Sequence, residues 1–253
     1  MSIFSSILSG LVLLLSAACL LAALPVNVWL VRMLDMGRLH LGALVLAGAV
    51  GLALLVWRLP SKATRTRIAG WVALGFALIA TLVNVGWLAP YLPGSIDPAP
   101  CAQEDRLVVL VSNVKLGNEE TGPLLSLVRE VQPDVLLTME TDEVWDRALS
   151  DLDDMLPERV QVITGTYWGM HLQSRLPLTQ GDIETPAGAD TPLIQADVTL
   201  PSGKKVRFVG IHPRPPHWGQ PSVYRDGQLA SAALAAHADG PPTVLAGDFN
   251  PLQ

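Results

Sequence analysis

The sequence predicts an α/β protein in which N-terminal transmembrane helices precede a domain of buried strands and helices. Three observations predict it. Residues 1–92 hold three long apolar runs. From Leu107 onwards an apolar run, a helical pattern and a second apolar run follow one another, as in a parallel strand–helix–strand unit. Four predicted strands then end in polar residues: Asn113, Glu140, His212, and Asp248 with Asn250. In open α/β sheets, ligands bind at the carboxyl ends of strands.

Composition separates the two parts. The chain has 253 residues, 50% of them hydrophobic, and a net charge of −6. Residues 1–98 carry a net +4 and residues 99–253 a net −10. A basic, apolar first part and an acidic second part predict a membrane part and a soluble part. The acidic part argues against a general nucleic-acid binder, which needs a basic surface. A bound divalent cation can still bring a phosphate into an acidic pocket. Two cysteines, Cys19 and Cys101, provide neither a disulfide framework nor a zinc spacing.

The first run, Met1–Val31, has no charged side chain, and a hydrocarbon core of roughly 30 Å needs about 20 apolar helical residues. Leu39–Trp57 and Ile68–Leu88 are the second and third predicted spans. No Lys or Arg precedes the first run, which argues against a cleaved signal peptide. Asn84, in the third run, is read as lying near the membrane interface, with a helix–helix hydrogen bond as the alternative. The first connection carries Arg32 and Arg38 against Asp35, whereas the second carries Arg58, Lys62, Arg65 and Arg67 with no acid. The positive-inside rule then places the second connection and the N-terminus in the cytoplasm, and everything after Leu92 outside. The Pro-rich stretch 93–105 reads as a linker between an anchor, 1–92, and a domain, 106–253.

In the domain, Leu107–Val111 reads as a buried strand ending at Ser112-Asn113. A helix is predicted from about Thr121 to Val131, stopped by Gln132-Pro133-Asp134. Val135–Met139 is a second strand, ending at Glu140. Thr141 is read as the cap of a helix starting at Asp142, with Val144, Trp145, Ala148, Leu149, Leu152 and Met155 on its apolar face. Short strands follow at Val160–Gly165, Met170–Ser174, Gly181–Thr185, Leu193–Leu200 and Val206–His212. After a proline-stiffened loop, Pro213–Pro221, a helix over Ser222–His237 leads to the strand Thr243–Ala246 and the turn Gly247-Asp248-Phe249-Asn250. A carboxylate pair, two amides and an imidazole make a kit for metal-assisted phosphoester hydrolysis.

Five segments carry a family resemblance: Val111-Ser112-Asn113-Val114, Pro133-Asp134-Val135-Leu136-Leu137-Thr138-Met139-Glu140, Leu172-Gln173-Ser174-Arg175-Leu176-Pro177-Leu178, Val209-Gly210-Ile211-His212-Pro213 and Gly247-Asp248-Phe249-Asn250. In this order they resemble the endonuclease/exonuclease/phosphatase superfamily, and the anchor resembles its membrane-anchored bacterial branch. The resemblance implies a deoxyribonuclease I-like, two-sheet α/β sandwich, here partial. It implies that Glu140 holds a metal, Mg²⁺ or alternatively Mn²⁺, with Asn113 beside it. His212 would contact the scissile phosphate, Asp248 would orient the attacking water, and Asn250 would hold a phosphate oxygen. Ser174-Arg175 matches a structural pattern. The family usually has Gln where this chain has Met139, and it continues past Gly-Asp-x-Asn to a late Asp-His pair, whereas this chain stops at Gln253. The resemblance thus implies a C-terminally truncated domain of weak or no activity, in which the disulfide partner of Cys101 could also be missing.

The implied function is a membrane-anchored phosphoesterase of the bacterial inner membrane with its domain on the periplasmic side. Its substrate class, nucleic acid, lipid headgroup or sugar phosphate, is left open, and no obligate protein partner is expected. The alternative is a membrane-anchored protein with a decayed hydrolase domain that binds a phosphorylated ligand without turnover.

Overall fold

A computed structural model describes residues 2–26, 28–60, 62–92, 102–186, 191–215, 222–237 and 240–250. These fall into two compact units, a helical one before residue 93 and an α/β one after residue 101. Most of the expected linker, Cys101, and residues 216–221 of the proline-stiffened loop lie outside the described residues.

The helical unit contains α1 (Ser2–Ala22), α2 (Trp29–Met36), α3 (Arg38–Arg58) and α4 (Thr64–Leu88). Three of its helices are long and apolar enough to cross a membrane. Their shared core holds Val12, Cys19, Val45, Leu52, Val56, Ala73, Ala77 and Ala80, and the alanines bring α4 close to its neighbours. Large apolar side chains such as Phe4, Leu14, Trp57, Leu78 and Leu82 face outward instead. Two expectations are corrected here. The first span is shorter than the uncharged run Met1–Val31, because α1 ends at Ala22 and the short α2 follows. Arg32, Asp35 and Arg38 therefore lie on helices, where both arginines pair with Asp35. Arg38 also donates to the Ala22 carbonyl at 2.8 Å and lies over the Trp87 ring. Asn84 is not merely interfacial. It is buried and donates to the Arg38 carbonyl at 3.2 Å, joining α4 to α3.

The α/β unit contains two four-stranded sheets. In the first, β1 (Val109–Asn113) pairs parallel with β2 (Val135–Met139), which pairs antiparallel with β4 (Met170–Ser174), itself antiparallel to β3 (Glu158–Val162). In the second, β5 (Leu178–Glu184), β6 (Leu193–Thr199) and β7 (Lys205–Ile211) are antiparallel, and β8 (Thr243–Gly247) lies parallel to β7. Period-two alternation assigns the faces. Val135, Leu137, Met139, Met170 and Leu172 of the first sheet meet Ile194, Ala196, Val198 and Phe208 of the second in one core. Leu136, on the opposite face, packs under Leu125 and Val128 of α5 (Gly122–Val131) and Trp145 and Leu149 of α6 (Glu143–Leu149). Leu193, Val209 and Ile211 pack under Leu229 and Ala232 of α7 (Val223–His237). The result is a four-layer sandwich, helices outside and two sheets within.

β2 and β4 match their expected ranges, the other strands differ by up to three residues at an end, and one cap is reassigned. Asp142, not Thr141, caps α6, because its carboxylate accepts from the amides of Val144 and Trp145. β5 starts at Leu178, ahead of the expected Gly181. It is an exposed edge strand with a bulge between Thr179 and Asp182, and so shows no apolar alternation. The Ser174-Arg175 pattern is structural. The Ser174 hydroxyl donates to the Asp134 carbonyl at 3.1 Å, and the Arg175 Nε donates to the Asp134 carboxylate at 2.6 Å.

Candidate active site

Parallel pairing puts the ends of β1 and β2 at one edge of the first sheet, with Asn113 opposite Met139. It likewise sets Ile211 opposite Gly247 in the second sheet. The residues that end these four strands meet. The Asn113 Nδ2 donates to Glu140 Oε1 at 2.8 Å and to Asp248 Oδ2 at 3.1 Å. One amide nitrogen thus joins a carboxylate from each sheet. Met139, at the position where a Gln was expected, ties the sheets together a second time, its sulfur accepting from the Asp248 amide at 3.1 Å.

Glu140 is held from both oxygens, since Oε2 accepts from the Leu116 amide at 3.0 Å. His212 is 3% exposed, and its Nε2 lies 3.8 Å from Glu140 Oε1. Asn250 is close as well: its amide donates to Asp248 Oδ1 at 3.0 Å, and its Nδ2 donates to the Pro213 carbonyl at 2.8 Å. That second bond ties Asn250 to the segment following His212 and leaves one side-chain N–H for a ligand. All five residues singled out in the sequence are therefore joined in one cluster.

The backbone there is unusual. Five described non-glycine residues have positive φ, and three of them, Lys115 (64°), Glu140 (62°) and Asn250 (43°), belong to this cluster or its loops. Each such residue costs on the order of 1 kcal/mol, and strain of this kind gathers at functional sites. Lys115 is held by its amide donating to Asn113 Oδ1 at 2.9 Å.

Sequence reasoning did not single out Trp168, Arg214 or His171. The Trp168 ring lies 5.2 Å from that of His212, tilted by 55°, and the Arg214 guanidinium lies 5.1 Å from the Trp168 ring. A tryptophan directly before a strand end-on to the site is the available signal for the first. For His171 the signal is a polar residue in a strand buried at every position.

Burial pushes the His212 imidazole below its ordinary value of 6.5. Asp248, Glu140 and the Tyr167 backbone pull the other way without reversing the shift. The ring is neutral at pH 7 and can donate one hydrogen bond. Desolvation also depresses His171. A histidine whose folded pKa is below the unfolded one favours the fold above pH 6.5, and that advantage is lost as pH falls through the folded value. The melting temperature of the protein in a chelating buffer is thus expected to fall between pH 7 and pH 5.5, and less steeply for His212→Gln.

A four-layer α/β sandwich with carboxylates at the strand ends of both sheets is the architecture of deoxyribonuclease I-like proteins. The model of the Endonuclease/Exonuclease/phosphatase family matches residues 110–250, and the chain belongs to that family. It is a family of phosphoric ester hydrolases, nucleases and phosphatases among them, that generally use divalent metals. No curated protein matches the chain. Among solved structures, D. rerio TDP2 complexed with single-strand DNA product is 20% identical, with 57% of this chain and 61% of that chain covered and a TM-score of 0.50. A humanized D. rerio TDP2 is 20% identical over 57% of this chain and 62% of that one, with a TM-score of 0.51. The human Nocturnin catalytic domain with bound sulfate is 18% identical over 57% and 65%, with a TM-score of 0.47. At such identities the likeness is one of fold. The chain spans about three fifths of the length of the solved structures it matches.

The donor set suits a hard divalent cation. Among the described residues there is no group of three or more His, Cys, Asp or Glu side chains placed to hold a metal. Mg²⁺ usually takes one or two carboxylates and keeps several waters. Two carboxylates sharing one neutral amide, with no Lys or Arg paired to either among the described residues, match that requirement.

Proposed function

We propose that the protein is a membrane-anchored, divalent-metal-dependent phosphoesterase that hydrolyses its substrate by in-line attack of water. The observation that carries this reading is the meeting of Glu140 and Asp248 on the Asn113 amide. Glu140 would hold Mg²⁺ or Mn²⁺, with Asn113 beside it. When bound, the cation would offset charge on a phosphate oxygen.

The chain's own groups do the rest. Asp248, fixed by the Asn113 side chain and the Asn250 amide, orients a water and accepts its hydrogen. His212, neutral and braced by Trp168, donates to a non-bridging oxygen. The second N–H of Asn250 donates to another. Three apolar helices support the anchor. Asp35 offsets charge in the first connection, so Arg58, Lys62, Arg65 and Arg67 dominate the charge balance. By the positive-inside rule the N-terminus is cytoplasmic and the α/β unit lies outside, which in a bacterium is the periplasmic side of the inner membrane.

The test is hydrolysis of bis-p-nitrophenyl phosphate by the full chain. Weak turnover is expected with Mg²⁺ or Mn²⁺ and is expected to vanish with EDTA. Equal turnover in both conditions would overturn metal dependence. Metal-dependent binding of a phosphate ester without turnover would instead favour the non-catalytic alternative.

A further inference from the structure

β4 is buried along its length and sends Met170 and Leu172 into the inter-sheet core. Alternation therefore turns His171 and Gln173 towards the helical layer. Gln173 donates to the Leu149 carbonyl at 3.2 Å. His171 has no exposed surface, and both of its ring nitrogens are engaged. Nδ1 lies 2.9 Å from the Thr141 hydroxyl, and Nε2 lies 3.0 Å from Asp146 Oδ1.

An ionised carboxylate only accepts, so the ring hydrogen sits on Nε2 and Nδ1 accepts from the Thr141 hydroxyl. Burial, with Arg159 acting in the same sense, depresses the pKa against the pull of Asp146, consistent with the neutral ring this tautomer requires. Arg159 lies 3.8 Å from Asp146 and pairs with Asp153, anchoring the far end of the chain.

Thr141 directly follows Glu140, whose φ of 62° marks the turn leaving β2. The Thr141 amide donates to the Gly169 carbonyl at 3.2 Å. Its own carbonyl lies so near Gly169 that a Cβ there would come within 1.7 Å of it. Thr141 is thus gripped by both backbone and hydroxyl, and Glu140 is strung between it and β2.

We propose that His171, itself held by Asp146, is a positioning residue: through the Thr141 hydroxyl it fixes the left-handed turn that aims the Glu140 carboxylate, and so sets the site's affinity for a divalent cation. The proposal rests on the metal-holding role of Glu140. Groups hydrogen-bonded to a metal ligand typically change affinity by about 10- to 100-fold, and the Thr141 hydroxyl acts one step further out, so the lower end of that range is the expectation.

The test is Mn²⁺ binding by the full chain, followed by the electron paramagnetic resonance signal of free Mn²⁺. Thr141→Val removes the hydroxyl at nearly constant shape and is expected to weaken binding about 10-fold. Thr141→Ser keeps the hydroxyl and is expected to bind within about twofold of the parent, since the donor is unchanged. Thr141→Ala gives the same reading should valine prevent folding, which melting in EDTA reports. A purely structural role would lower the melting temperature and leave Mn²⁺ affinity intact, and that result overturns the proposal. Glu140→Gln separates the two readings. If it loses Mn²⁺ while Thr141→Val does not, only the positioning role fails. If Glu140→Gln binds like the parent, the metal-holding role fails and takes this proposal with it.

Discussion

Asp248→Ala is expected to abolish Mg²⁺-dependent hydrolysis of bis-p-nitrophenyl phosphate, and Glu140→Gln to do the same. The two losses have different causes. Asp248 accepts from Asn113 and from the Asn250 amide, so its carboxylate is fixed where a water could be oriented. Removing a group that orients and deprotonates the nucleophile typically costs 10²–10⁴-fold in rate, roughly 3–5 kcal/mol of barrier. Glu140→Gln keeps the shape and removes the charge that would attract a cation. Raising the Mg²⁺ concentration should therefore restore part of the rate in Glu140→Gln and none in Asp248→Ala. Both residues lie at strand ends outside the inter-sheet core, so thermal melting of either variant should stay close to that of the parent. Full activity in both variants would refute the assignment of the site.

Gly247→Ala is expected to destabilise the α/β fold strongly. Gly247 closes β8 with φ at 146°, and a Cβ there would come within 1.9 Å of the Ile211 carbonyl oxygen. That oxygen belongs to the neighbouring strand β7 and cannot move aside as a flexible side-chain tip would. A clash with paired backbone on top of an unfavourable φ should cost about 3 kcal/mol or more. Gly203, with φ at 83°, provides the comparison, because nothing lies within 4 Å of a Cβ built there. Gly203→Ala should cost only the backbone term, about 1 kcal/mol. Urea unfolding of the two variants side by side measures the difference, and equal losses would show that the approach of Gly247 to Ile211 is not rigid.

How far the sequence could be read depended on what each residue faces. β2 and β4 match their expected ranges because both are short apolar runs with clear boundaries. β1 lies two residues later than expected, since its end is set by the pairing of Asn113 with Met139 and not by hydropathy. The exposed β5 was found only in part, over Gly181–Thr185, because its first residues carry no apolar alternation. The polar strand ends were visible one at a time. Their meeting was not, because Glu140 and Asp248 belong to different sheets and sequence order does not say which edges abut. The family resemblance supplied that step. Trp168 and His171 escaped notice for a similar reason: each touches the cluster only through a neighbour, His212 for one and Thr141 for the other, and such indirect contact leaves no spacing to recognise.

The two carboxylates ride on separate sheets, linked at that end by one asparagine nitrogen and one methionine sulfur. Their separation is consequently a gauge of how the two halves of the sandwich are seated. A slight slip of one sheet over the other would spoil the reacting arrangement long before it unfolded anything. On the proposed function, conservative changes at deep apolar positions such as Leu137 and Phe208, which seat one sheet on the other, would lower turnover without touching the cluster itself.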